Sequence, residues 1–94
     1  MIRLPAHGTT VTAAELRTQM VLAADFSDRT VVDAAEVESV GQAVLQVLVA
    51  ARREAVQSGH AFAIHNPSPA FVQRVVASRL ADAIGLPVGK DDLL

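Results

Sequence analysis

Three histidines, His7, His60 and His65, are the side chains best suited to metal binding or general-base work. They show no ligand spacing with one another or with a carboxylate; two fall in expected loops and one at an expected strand end. Glu36 and Glu38 share one side of an extended segment, the pattern of a solvated edge, and Asp91-Asp92 stands in a terminal stretch. Gly89-Lys90 lacks the earlier glycine and the following hydroxyl of a phosphate-binding loop. Arg52-Arg53 reads as a solvated helix face. The absence of Cys removes disulfides, thiol nucleophiles and thiolate metal sites. No nucleophile has a base at a recognisable spacing. The expectation is a non-enzymatic chain with no catalytic residue, no metal and no cofactor.

One segment could do chemistry of another kind. Val37-Glu38-Ser39-Val40 is extended in character and runs directly into Gly41-Gln42-Ala43-Val44-Leu45, the start of a long helical pattern. A helix start presents unbonded amides and the positive end of the helix dipole, suited to an anion, an acidic side chain or a partner's backbone. Gly41 permits close approach and Gln42 offers both a donor and an acceptor. The plainer reading, that Gly41 only lets the chain turn, also fits.

The elements that must position this turn follow from composition and period. Ninety-four residues suit a single domain, 1–94. Eight Lys+Arg against ten Asp+Glu give a net charge of −2, which argues against nucleic acid as a partner. No apolar run reaches the roughly 18 residues of a membrane span, and the first ten residues do not resemble a signal peptide. A cytoplasmic protein without membrane insertion is expected. Ala (17) and Val (14) dominate the apolar residues, so each side chain buries little area, and shared apolar surface, including a homo-oligomer, is compatible with this composition.

Met1–Pro5 is short and apolar, and His7-Gly8-Thr9-Thr10 reads as a loop. Thr12-Ala13-Ala14-Glu15 has the form of a capping box opening a helix over 13–24. Thr30–Asp33 predicts a central strand. Val44, Leu48, Ala51 and Ala55, flanked by Leu45, Val49 and Val56, predict a helix over 42–58 ended by Gly59. Ala61–His65 predicts a strand. Ser68 and Pro69 suit the start of a helix whose stripe of Val72, Val76, Leu80 and Ala83 carries it to 83. Alternating strands and helices with short links predict an α/β fold, with a mixed, mostly parallel sheet covered by helices.

Over about residues 30–86 the chain resembles the STAS domain, the module shared by sulfate transporters and anti-sigma factor antagonists. Val32-Asp33 matches the family's strand end and Glu36–Val40 its extended piece. Gly41-Gln42-Ala43-Val44-Leu45 occupies its Asp-Ser-Ser-Gly-Leu turn, and Val47–Arg52 continues the helix. Gly59, Asn66–Phe71 and Ile84-Gly85-Leu86 fit as well, leaving 87–94 as a tail.

The resemblance implies a bacterial signal-transduction module of chemotaxis or anti-sigma antagonist type. Its partner would be another protein, a chemotaxis kinase or a kinase-like anti-sigma factor, contacted through Gly41, Gln42, Ala43, Leu45 and Gln46. Relatives that switch partners are phosphorylated on the first Ser of the turn. Here that position is Gln42, preceded by Gly41 instead of Asp, so phosphorylation is not expected there. Ser39 falls on the extended piece and is expected to point inward. The alternative is a structural subunit resembling the small STAS partner of the ATPase in bacterial lipid-transport ABC systems. A minor third reading is a small-molecule sensor with an Ala-rich interior.

Overall fold

Residues 32–40 carry more of the fold than their length suggests. In the computed structural model, which describes residues 2–26 and 28–86, this segment runs parallel to the N-terminal residues 2–8. The order of elements is β1 (Ile2–Arg3), β2 (His7–Gly8), α1 (Thr10–Phe26), β3 (Arg29–Asp33), β4 (Ser39–Val40), α2 (Gln42–Ser58), β5 (Ala61–His65), α3 (Pro69–Ala77) and α4 (Ala81–Ile84). β1, β3 and β5 form a parallel sheet in that order, while β2 and β4 form a second parallel pair. The fold is α/β with parallel pairing and covering helices, as the alternation predicted.

The two pairs follow one another along the same two stretches of chain, separated by a bulge-like turn in which the Val37 amide donates to the Ala34 carbonyl at 3.4 Å. Ile2 pairs with Val32 and Arg3 with Asp33, whereas His7 pairs with Ser39 and Gly8 with Val40. The second strand therefore carries extra residues between the pairs, a bulge that bends it. Backbone bonds continue on both sides: the Leu4 amide donates to the Asp33 carbonyl at 2.9 Å, and the Glu38 and Ser39 amides share the Ala6 carbonyl at 2.8 and 3.0 Å. The bulge turns Ala34 and Val37 into the core.

Leu4, Val32, Val44, Leu45, Leu48, Phe71, Val75 and Ile84 are the largest fully buried side chains. α1 presents Ala13, Leu16 and Met20 to this core at helical spacing. Its outer side keeps Val11, Val21 and Leu22 exposed.

Several expectations need correction. His7–Gly8 is a strand, because β4 supplies a partner that a local reading of Gly and His does not suggest. α1 starts at Thr10, not Ala13. Its N-terminal bonds run to Thr9, whose carbonyl accepts from the Ala13 amide at 3.0 Å and whose Oγ1 accepts from the Thr12 amide at 3.4 Å. Thr12 thus lies inside the helix, and no capping box forms with Glu15. Val56 is 61% exposed instead of lining the apolar face of α2.

The last helix is broken in two. Leu80 donates to the Val75 carbonyl and Arg79 to that of Val76, both at 3.0 Å, with Arg79 at φ 58°. This is the crossed pair of bonds that closes a helix, with Arg79 in the left-handed position that glycine usually occupies. Gly59 and Gly85 close α2 and α4 in the same way. Leu86, just past α4, is buried; the tail expected over 87–94 lies outside the described residues.

Candidate functional site

α2 starts where β4 ends, and two glycines let that junction close. The Gly41 amide donates to the Gly8 carbonyl at 2.9 Å. A Cβ on Gly41 would stand 3.2 Å from that carbonyl oxygen, and one on Gly8 would stand 3.2 Å from Val44 Cγ2. Gly41 is the N-cap, in extended conformation (φ −84°, ψ 165°), and no side-chain hydrogen bond caps the helix. The Leu45 amide returns to the Gly41 carbonyl at 3.3 Å. The expected close approach at Gly41 is therefore an intramolecular one, to β2.

The expected docking residues divide. Gln42 and Gln46 are exposed one helical turn apart, Ala43 is half-buried between them, and Gly41 is half-buried at the cap. These share one rim. Leu45 is a correction: it is fully buried in the core, so it holds the helix in place and offers no surface to a partner. Ala43 and Gln46 also border a cleft of about 1000 Å³ between α1 and α2, floored by small side chains such as Ala13, Val47 and Ala50.

Ser39 is a second correction. It is exposed, not inward, because the bulge changes which residues of the extended piece face the core. Its Oγ lies 2.9 Å from His7 Nδ1, and His7 Nε2 lies 3.7 Å from Glu38 Oε2. With His7 and Glu38 side chains 68% and 71% exposed, water screens the pair, and the cluster acts as a clasp between β2 and β4. Next to it a shallow recess of about 360 Å³ is lined by Glu38, Ser39, Ala70, Gln73 and Arg74. There Arg74 Nε donates to the Val40 carbonyl at 3.2 Å, which holds α3 on β4. No sequence spacing pointed to this cluster, since His7 and Ser39 meet only through strand pairing.

His60 borders the α1–α2 cleft and His65 pairs in register with Asp33, so neither approaches His7's cluster in the fold. Among the described residues no group of three or more His, Asp or Glu side chains could hold a metal. No helix among them is long and apolar enough to cross a membrane.

The family model described as "Mlab, STAS domain" matches residues 1–88. The chain belongs to the STAS family. The match takes in β1, β2 and α1, which lie before the stretch where the resemblance was legible. No curated protein and no solved structure matches the chain significantly. For a STAS domain the general role is protein interaction and regulation; at its α2 start this one exposes the neutral side chains of Gln42 and Gln46.

Proposed function

We propose that this STAS domain is a non-enzymatic docking module of the bacterial cytoplasm whose contact with its partner is constitutive. The contact surface is the rim of Gly41, Gln42, Ala43 and Gln46. The observation that carries this reading is the exposed Gln42 on a helix start without a side-chain cap. A carboxamide has no hydroxyl to esterify, so Gln42 keeps the turn neutral. A phosphate here would add about −1.5 to −2 charges at the centre of the surface.

The partner is a signalling protein of the kinase class, either a chemotaxis kinase or a kinase-like anti-sigma factor. A second reading is a structural subunit bracing the ATPase of a lipid-transport ABC system. It is favoured by the name Mlab in the matching family's description and by the permanence of an unswitched contact. Calorimetric titration of the purified domain with the kinase and with the ATPase from the same genome separates the two. Binding to the kinase alone supports the first reading, binding to the ATPase alone the second. Binding to neither rejects both partner classes.

A further inference from the structure

β5 is an open edge of the three-stranded sheet: among the described residues no strand pairs with its outer side. Its parallel register with β3 runs from Arg29–Ala61 to Asp33–His65. The bonds at either end, Ala61 amide to Asp28 carbonyl at 2.9 Å and Ala34 amide to His65 carbonyl at 3.0 Å, show which residues turn inward. Ala61, Ala63 and His65 direct their backbone groups to β3. Phe62 and Ile64 direct both their amides and both their carbonyls outward. The strand itself carries none of the side-chain guards of an edge, since Ala61-Phe62-Ala63-Ile64-His65 contains no Lys, Asp, Glu, Pro or Gly.

These outward groups are complementary to themselves. Place a two-fold axis at Ala63 with a second copy of β5 running antiparallel. Phe62 then lies opposite Ile64 of the other copy, and each such pair exchanges two hydrogen bonds. No outward group of Phe62 or Ile64 is left over. Phe62 and Ile64 lie on the core side, so an aromatic and a β-branched side chain meet across the axis, a favourable cross-strand pair. Ala63, half-buried and outside the core, meets only its own copy. His65 lies opposite Ala61, so no like charges face each other.

Neighbouring registers are poorer. An axis at Phe62 would call on the His60 amide, already bonded to the Ala55 carbonyl at 2.7 Å. An axis at Ile64 would call on Asn66, which leaves the extended conformation at φ 53°. An axis between residues would set inward-facing groups against outward-facing ones.

We infer that the β5 edge is a homodimer interface, at which a second copy of this chain extends the sheet through antiparallel β5 pairing about Ala63. The interface uses none of the residues of the α2 rim and does not depend on the docking proposal. Its test is sedimentation equilibrium of the 94-residue chain between about 10 µM and about 1 mM. The parent is expected to dimerise within that range. Ala63→Lys and Ala63→Glu each set like charges face to face at the axis and are expected to weaken the dimer at least about tenfold. Mixing the two variants is expected to restore it.

Ala63→Cys supplies the chain's only thiol at a position where opposing Cα atoms stand about 4.5 Å apart, and it is expected to form a covalent dimer under mild oxidation. Ala61→Cys, opposite His65, is expected not to. A parent that stays monomeric throughout the range overturns the inference. So does a dimer that both charge variants leave intact, or cross-linking by Ala61→Cys as complete as by Ala63→Cys.

Discussion

The starts of α2 and α3 are built on opposite plans. At α3, the Ser68 hydroxyl accepts from the Phe71 amide at 3.1 Å and donates to the Val37 carbonyl at 2.6 Å. The Ser68 amide also donates to Ala34 at 3.1 Å, and Pro69 follows at the first helical position. The hydroxyl, amide and carbonyl of Ser68 are all bonded within the chain, the carbonyl accepting from the Val72 amide at 3.0 Å. At α2, Gly41 brings no side chain, one backbone bond ties the turn to Gly8, and Gln42 stands exposed. The α3 start is a joint tied into the fold by side-chain and backbone bonds, whereas the α2 start leaves the Gln42 and Gln46 side chains to solvent, as the proposed contact surface requires.

Six substitutions can break or sharpen this contrast. The largest effect belongs to Leu45, which lies in the docking turn by sequence and in the core by structure. Leu45→Ala should cost about 2–5 kcal/mol, whereas Gln46→Ala beside it should stay within about 0.5 kcal/mol of the parent, both read by urea denaturation. Equal costs would erase the division between joint and surface. Next comes the α3 cap: Ser68→Ala should cost about 1–2 kcal/mol in the same assay, because it removes the cap and leaves the part-buried Val37 carbonyl without its donor. Gln42→Ala, at the open start, should be nearly neutral.

A smaller gain is expected at the far end of α3. Arg79→Gly should stabilise the domain by about 0.5–1 kcal/mol, seen as a raised Tm, by relieving a left-handed side-chain conformation at φ 58°. The smallest change is Gln42→Glu, which should add a few tenths of a kcal/mol through the helix dipole. If urea denaturation instead shows Gln42→Glu to be destabilising, the α2 start is not the open dipole end described above.

What could be read from residues alone follows the same division. α2 and β5 keep their expected bounds because their ends carry local chemistry: Gly41 and Gly59 around the helix, and a β-branched and aromatic strand between turns. The start of α3 was legible from Ser68 and Pro69 for the same reason. Its end was not. Arg79 does a glycine's work there, and the continuing stripe of Val72, Val76, Leu80 and Ala83 concealed the break.

β2 and the outward Ser39 depend on pairing between residues far apart in sequence, and on a bulge whose extra residues shift which side chains face inward. In the candidate site, the exposure of Gln42 and Gln46 follows from their polar character on a helix face. The burial of Leu45 depends on where the core sits, and the heptad of residues around it carries apolar side chains on more than one face.

The most direct test of the central claim is the affinity of the domain for its partner with position 42 varied, measured by isothermal titration calorimetry on folded parent, Gln42→Ser and Gln42→Glu proteins. A constitutive contact through the neutral α2 rim predicts parent-like affinity for Gln42→Ser and at least about tenfold weaker binding for Gln42→Glu, whose carboxylate stands where a phosphate would. Equal affinity of Gln42→Glu and the parent would contradict the claim and move the docking surface away from this turn.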